Sequence, residues 1–171
     1  MRCYRSVDGE STEYEIFENM YPALQRFAAI VADWHMDPDG LVHDAVVATL
    51  ERHSLIELEQ PQAYIKRAIV NLAANKRRSA GRRASALSRL PIDSHTTDQY
   101  PSDLAILDEL VPLDRAIIYL ADVEGLRYAE IGDELGISAA SARQRAHRSR
   151  KHLRALAGET EPATAPNGKT T

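Results

Sequence analysis

The sequence is poor in cysteine and in aromatic residues: Cys3 is the only cysteine in 171 residues, and aromatic side chains make up 6% of the chain. One cysteine excludes a disulfide framework within the chain, as is typical of proteins in a reducing compartment. The longest apolar run, residues 27–32, is too short to span a bilayer, and the polar, acidic N-terminus does not resemble a signal peptide. We therefore expect a cytoplasmic protein with no membrane insertion.

The sequence also lacks the patterns of strands and of common catalytic sites. No stretch alternates apolar and polar residues with period two, so we expect an all-α protein. No GxSxG, P-loop, GxGxxG or HExxH motif is present, which argues against an enzyme and gives no reason to expect a cofactor. His35, Asp39 and His43 have the spacing of metal ligands on a helix, but Pro38 and Gly40 interrupt that helix, so no metal site is predicted.

Acidic and basic residues are separated into blocks, although the net charge at pH 7 is only −4. Residues 1–60 carry 12 acidic and 4 basic side chains, whereas residues 61–90 carry 8 basic and no acidic ones. Residues 91–137 then carry 11 acidic and 2 basic side chains, and residues 138–158 carry 6 basic and no acidic ones. Two basic segments between acidic ones predict two nucleic-acid contacts, with the acidic surfaces facing another partner.

The second basic block belongs to a segment, residues 126–156, that predicts two helices joined by a tight turn. Gly136 is expected to end the first helix in the left-handed conformation, and Ser138 is a suitable N-cap for the second. The charged residues of the second helix are all basic: Arg143, Arg145, Arg148, Arg150, Lys151 and Arg154. This order is typical of a helix-turn-helix motif that inserts its second helix into the major groove. A solvated basic face, or one that binds a membrane or a protein, is the alternative.

The first basic block lies on a long helix that Pro61 is expected to open. Its basic residues can contact phosphates, and Asn71 offers an amide for recognition of a base edge. A merely solvated helix end is the alternative. Two further helices are predicted upstream, and Trp34 follows the first of them. Because large aromatic side chains are usually buried, we expect Trp34 to cap the core, with a base-stacking platform as the alternative.

The composition changes between residues 79 and 102, where small, polar and proline residues prevail. We therefore predict two small helical domains joined by a flexible linker, with the helix-turn-helix in the C-terminal domain. The predicted boundaries are residues 13–83 for the first domain, 84–102 for the linker, 103–158 for the second domain and 159–171 for a disordered tail.

Taken in this order, the segments resemble the extracytoplasmic-function (ECF) sigma factors, a two-domain branch of the bacterial sigma factors. EIGDELGISAASARQRAHRSRKHLRAL is similar to the family's EIA-x-x-LGI turn and its V-K-x-R-L-x-R-A-R-x-x-L helix. LVPLDRAIIYLADVEGLRYAEI resembles the L-x-P-x-x-R run before that turn. In the N-terminal half, DPDGLVHDAVVATLERH resembles D-x-E-D-L-V-Q-E, and PQAYIKRAIVNLAANKRR resembles P-x-A-W-L-x-x-I-A-x-N-x-x-x-D-x-x-R-R. The resemblance covers about residues 14–156.

The resemblance implies a promoter-specificity subunit of bacterial core RNA polymerase. The first domain would correspond to sigma region 2, which binds the clamp of the β′ subunit and the −10 promoter element. The second would correspond to region 4, which reads the −35 element of promoter DNA and contacts the flap of the β subunit. An anti-sigma factor would be a further partner.

The resemblance also implies three sets of contact residues. The expected −35 contacts are Ser138, Ser141, Arg143, Gln144, Arg145, His147, Arg148, Arg150 and Lys151. The expected −10 contacts are Asn71, Lys76, Arg77, Arg78, Arg82 and Arg83. The expected polymerase contacts are Asp37, Asp39, His43 and Asp44.

Several residues depart from the family pattern. Gly40 stands where the family usually has an acid, and His43 where it usually has a glutamine. Arg127 replaces a small capping residue, while Ala142 and Ala146 replace larger apolar residues. Two other functions therefore stay open: a stand-alone helix-turn-helix transcriptional regulator, and a sigma-like decoy that binds polymerase or an anti-sigma factor without initiating transcription.

Overall fold

The computed structural model describes residues 12–87 and 105–158 and contains only helices within those ranges. The N-terminal half comprises α1 (Glu13–Val31), α2 (Pro38–Leu50) and α3 (Pro61–Leu87). The C-terminal half comprises a short 3-10 helix (Ala105–Glu109), α4 (Pro112–Asp122), α5 (Tyr128–Leu135) and α6 (Ala139–Leu156). The prediction of an all-α fold is confirmed. Within the described ranges, no helix has the length and hydropathy needed to cross a membrane.

Local side-chain signals set the starts of the first two helices. Thr12 and Glu15 cap α1 reciprocally, because each side chain accepts a hydrogen bond from the other residue's backbone N–H. The Asp37 carboxylate caps α2 by accepting from the backbone N–H groups of Asp39 and Gly40, at 3.2 and 3.0 Å. These caps satisfy N–H groups that have no partner within their own helix.

α5 and α6 form the predicted helix-turn-helix. Gly136 ends α5 in the left-handed conformation, with φ of 70°, and Ser138 Oγ accepts from the Ser141 N–H at 3.1 Å. A Cβ at Gly132 would lie 2.7 Å from the carbonyl oxygen of Ile137, so the turn lies directly against the α5 backbone. The glycine stop and the serine cap are both confirmed.

The unusual residue before α5 is accommodated by Glu130. The Glu130 carboxylate accepts hydrogen bonds from the backbone N–H and from the guanidinium of Arg127, each at 2.8 Å. The side-chain hydrogen bond from Arg127 holds the pKa of Glu130 below its usual value. Glu130 thus satisfies the backbone N–H of the N-cap residue, whereas the Arg127 side chain accepts no hydrogen bond from the first turn of α5.

α3 is longer than the predicted domain boundary allows. It runs to Leu87, past residue 83, which is the predicted end of the first domain. Residues 79–87 contain no proline, and their alanines, arginines and leucine favour a helix, so the small residues there do not mark a chain break. The rest of the predicted linker and the predicted tail lie outside the described residues, and the domain boundaries themselves stay a prediction.

The two halves of the chain share one continuous hydrophobic core. α4 packs against α1 and α3, and α5 packs against α3. The large apolar side chains that are fully buried in this core come from both halves and include Leu24, Phe27, Ile65, Ile69, Ile117, Leu120 and Ile131. Within the described ranges, the two predicted helical units are therefore in direct contact.

A buried arginine fixes the contact between α1 and α4. Arg115 is 1% exposed, and its guanidinium donates to the Asp33 carboxylate and to the carbonyl oxygens of Ala32, at 2.6 Å, and Leu110, at 3.1 Å. Arg77 of α3 donates to the same Asp33 oxygen, at 3.3 Å, and to the Leu110 carbonyl, at 2.8 Å. We name these side chains the Asp33 cluster: Asp33, Arg77 and Arg115. A buried guanidinium is tolerated because its donors have acceptors on every side.

A buried lysine fixes the contact between α3 and α5. Lys66 is 1% exposed, and its Nζ lies 2.8 Å from Glu134 of α5 and 3.1 Å from Glu124, which follows α4. The same Nζ lies 5.2 Å from the centre of the Phe27 ring. Two carboxylates and an aromatic face compensate the desolvation of one ammonium group.

We expect Arg115→Ala to lower the free energy of unfolding by about 3–5 kcal/mol, because it removes a partner from the buried Asp33 carboxylate and takes away the hydrogen bond that the Ala32 carbonyl accepts. Urea unfolding at pH 7, followed by circular dichroism, measures this loss. The matched control is Arg127→Ala, whose side chain is 83% exposed and whose removal should leave the free energy of unfolding nearly unchanged. Equal losses for the two variants would contradict the structural role of Arg115.

Candidate nucleic-acid and polymerase interfaces

α6 has one buried face and one exposed face. The buried residues are small, which lets α6 pack closely on α4 and α5: Ala142, Ala146 and Ser149. The exposed residues, which we name the α6 basic stripe, lie on the opposite side at helical spacing: Arg143, Gln144, His147, Arg148 and Lys151. The alanines that replace larger family residues are therefore at fully buried contacts, and the basic side chains face solvent.

Two of the predicted −35 residues bind α4 and the start of α5 instead of facing solvent freely. Arg145 Nη1 lies 2.7 Å from the Asp114 carboxylate. Arg150 donates to the Asp122 carboxylate, at 3.2 Å, and to the Tyr128 hydroxyl, at 2.9 Å. The side-chain hydrogen bond to Asp122 and, to a smaller extent, the one to Tyr128 raise the pKa of Arg150 above its usual value. These two arginines hold the helix-turn-helix to α4, which sequence spacing alone did not indicate.

Among the remaining predicted −35 residues, one caps α6 and the others are exposed or half-buried. Ser138 caps α6, and Ser141 is half-buried in its first turn. Arg143 lies over the Tyr128 ring, with its guanidinium carbon 5.7 Å from the ring centre, but its side chain stays exposed. Of the predicted set, the α6 basic stripe is the part that duplex DNA can reach without displacing an ion pair.

The residues predicted for the −10 element do not share one face of α3. Asn71, Arg78 and Arg82 are exposed and follow each other at seven and four residues, so they lie on one side of the helix. Arg77 points the other way, into the Asp33 cluster, where it contacts the carbonyl oxygens of Asp108 and Leu110 in the C-terminal half. The structure thus groups three of the predicted residues and gives Arg77 a role in packing.

The last two −10 residues line a cleft beside the loop between α1 and α2. Lys76 and Arg83 are exposed, and both contribute to a cleft of about 480 Å³. Lys76 Nζ also lies 3.0 Å from the Asp44 carboxylate in an ion pair that is about half exposed on both sides. Such exposed pairs contribute little to stability, so an incoming phosphate competes with Asp44 at small cost.

α2 is apolar on two faces, which the sequence analysis missed. Leu41 and Ala45 are buried in the core, whereas Val47 and Leu50 are 42% and 45% exposed. Together with Tyr14 of α1, the exposed pair lines a groove of about 660 Å³ between α1 and α2, which we name the α1–α2 groove. A helix that is apolar on both sides suggests a partner that covers the outer side. The spacing of Val47 and Leu50 was a signal in the sequence that could have revealed it.

The predicted polymerase contacts are distributed around this groove. Asp39 and His43 line it, next to the apolar side chains. Asp44 lies on the other side of α2 with Lys76, and Asp37 caps the helix. The structure therefore brings two of the four predicted residues to the α1–α2 groove. Among residues 12–87 and 105–158, no three His, Cys, Asp or Glu side chains are grouped as a metal site requires.

Comparison with known proteins finds similarity to RNA polymerase sigma factors. Residues 104–153 match the family model described as Sigma-70, region 4. The chain is 34% identical over 116 residues to the ECF RNA polymerase sigma factor SigE of Mycolicibacterium smegmatis, a match that covers 61% of this chain and 45% of SigE. It is 47% identical over 58 residues to the RNA polymerase sigma factor CarQ of Myxococcus xanthus, covering 34% of this chain and 33% of CarQ. The matches span less than half the length of either relative.

The fold has a counterpart among solved structures. It is similar to the sigma factor RpoE from Bartonella quintana, which was solved in complex with the anti-sigma factor NepR, with a TM-score of 0.62 and 20% sequence identity. The likeness covers 86% of this chain and 98% of that chain. Together, these comparisons confirm the resemblance to the ECF sigma factors.

We expect Arg148→Ala to weaken binding of the full chain to a random-sequence DNA duplex and to reduce the log–log salt slope by about 1, because it removes one phosphate contact. Fluorescence anisotropy of a labelled duplex at several salt concentrations measures both quantities. Arg26→Ala is the matched control, since Arg26 is also exposed but lies on α1 in the acidic N-terminal block. A loss that is the same for both variants would contradict a DNA-binding role for the α6 basic stripe.

Proposed function

We propose that this chain is an RNA polymerase sigma factor that binds core RNA polymerase and recognises the −10 and −35 elements of promoters. It would act in the cytoplasm as a non-enzymatic subunit. The similarity of residues 104–153 to sigma-70 region 4, and of 61% of the chain to the ECF sigma factor SigE, supports this function. The observation that carries the proposal is that one helical body has three separate surfaces, namely the α6 basic stripe, the exposed basic side of α3 and the α1–α2 groove.

The α6 basic stripe suits recognition of the −35 element. It lies on the second helix of a helix-turn-helix, which is the helix that enters the major groove in this motif. Arginine suits guanine O6 and N7, and Gln144 suits adenine, because each forms two hydrogen bonds with its base. Arg145 and Arg150 act behind the stripe, where their ion pairs with Asp114 and Asp122 fix the tilt of α6 on α4.

The exposed side of α3 suits the −10 element. Asn71, Arg78 and Arg82 provide one amide and two guanidinium groups along a single side of the helix. The guanidinium groups contribute the phosphate contacts that position DNA, and the amide can read a base edge. A second nucleic-acid surface of this kind has no role in a stand-alone helix-turn-helix regulator, which favours the sigma factor.

The α1–α2 groove suits the polymerase. Its exposed Val47 and Leu50 provide apolar area for a partner, while Asp39 and His43 at its side provide polar contacts. Interfaces of this type combine an apolar centre with a polar rim. The β′ clamp would occupy this groove, the β flap would contact the helix-turn-helix half, and an anti-sigma factor would compete for these surfaces.

We expect Val47→Glu to abolish co-elution of the full chain with bacterial core RNA polymerase on a sizing column at moderate salt, because it buries an unpaired carboxylate in the interface. Val47 is partly exposed, so the variant should keep its helical circular dichroism and its binding to duplex DNA. Arg148→Ala is the control and should co-elute with the polymerase as the unchanged chain does.

The same experiment separates the other functions. If the unchanged chain binds duplex DNA but never co-elutes with core polymerase, the stand-alone regulator replaces the sigma factor. If it co-elutes but supports no initiation when the eluted complex is assayed for transcription in vitro, the decoy replaces it. Co-elution of Val47→Glu at the level of the unchanged chain would contradict the assignment of the α1–α2 groove.

A further inference from the structure

Trp34 has no role in the surfaces described above and is not where the sequence predicts it. The expectation that it caps the core is wrong, because 65% of its side chain is exposed. The reason lies in its neighbours: Asp33 and Met36 are the residues of this loop that are buried, and Trp34 and His35 between them point outward. An exposed large aromatic side chain, whose neighbour His35 lines a cleft together with basic side chains, suggests a ligand with a flat face.

The turn that carries Trp34 is held at both ends. The Met36 N–H donates to the Asp33 carbonyl at 2.8 Å, and Met36 is 9% exposed. The Asp33 carboxylate is held by Arg77, which belongs to the N-terminal half, as well as by Arg115. The Trp34 and His35 rings stand edge-to-face with centres 5.5 Å apart, so each restricts the other.

The cleft lined by Lys76 and Arg83 begins directly beside His35. Its volume of about 480 Å³ lies within the range of about 300–1,000 Å³ that is usual for ligand sites. Ser79 and Asn75 provide further hydrogen-bonding groups along the same wall. Asp37 is the one acid in the lining, and its two oxygens already accept from the backbone N–H groups at the start of α2. The cleft therefore combines two cationic side chains with an acid whose oxygens are engaged.

We propose that the Trp34 and His35 rings and this cleft bind single-stranded DNA, with one unpaired base stacked on Trp34 and the neighbouring phosphate held by Lys76 and Arg83. A paired base has no free face to offer, so the site selects a melted strand over a duplex. This inference rests on the proposed function and deepens it, because a sigma factor must hold a promoter strand after the duplex opens. It adds Trp34 and His35 to the contacts of the strand.

The intrinsic fluorescence of the full chain tests this directly, since Trp34 is the only tryptophan. The probes are a labelled single-stranded decamer of thymidine and an abasic decamer with the same number of phosphates. We expect the thymidine decamer to quench Trp34 in a saturable way that follows the anisotropy of the label, and the abasic decamer to quench little. Trp34→Ala should weaken binding of the thymidine decamer by about ten-fold or more, because stacking on an aromatic side chain is lost.

The control variants separate stacking from charge. Trp34→Phe keeps an aromatic face and should bind the decamer within about three-fold of the unchanged chain, whereas Arg83→Gln should lower the salt dependence by about one phosphate and leave the quenching in place. The inference is overturned if the decamer binds without changing Trp34 fluorescence, if the abasic decamer quenches equally, or if no decamer binds. Trp34→Ala should still co-elute with core polymerase, because Trp34 lies outside the α1–α2 groove. Failure of the decamer experiments therefore contradicts this inference alone, whereas loss of co-elution of the unchanged chain contradicts the proposed function.

Discussion

The buried ion pair between Arg115 and Asp33 is the interaction on which the rest of the structure depends. A guanidinium and a carboxylate are retained in a core only when their other hydrogen-bonding groups are satisfied, which constrains every neighbouring element. Here that requirement fixes the end of α1, the short 3-10 helix, the start of α4 and, through Arg77, the middle of α3. This ion pair also sets the outward direction of Trp34, which follows Asp33 in the chain, and the position of α4 against α6.

The same principle changes the interpretation of the charge blocks. The acidic block of residues 91–137 suggested a surface that faces another partner, but much of its charge pairs inside the molecule. Its members that pair with basic residues of α3, α4 or α6 are Asp108, Asp114, Asp122, Glu124 and Glu134. The acids that line an open apolar surface are instead Glu13 of α1 and Asp39 of α2, at the α1–α2 groove. Charge counted along the sequence does not separate internal pairs from surfaces.

The features that could be predicted are those set by neighbours in sequence. Gly136 and Ser138 act within one turn of the backbone, so the helix-turn-helix and its basic helix were evident without a structure. Arg145 and Arg150 were also predicted to face DNA, but their partners Asp114 and Asp122 lie 31 and 28 residues away, and no local pattern reports such a pairing.

The predictions for Trp34 and for the end of α3 differ from the structure for related reasons. A preference for burial describes tryptophan on average, whereas Asp33 and Met36 occupy the interior at this turn and leave Trp34 outside. The small residues after residue 79 suggested a linker, although their helix propensity allows α3 to continue to Leu87.

The most direct measurement is transcription in vitro from fragmented genomic DNA of the source organism, using its core RNA polymerase with and without this chain, with sequencing of the RNA 5′ ends. A sigma factor should create a set of new start sites that share two upstream sequence elements at a fixed spacing. One element should lie about 10 and the other about 35 base pairs before the start. This separation is more than two helical turns of DNA, so two recognition surfaces are needed to span it. If the start sites are the same with and without the chain, the account of its function is contradicted.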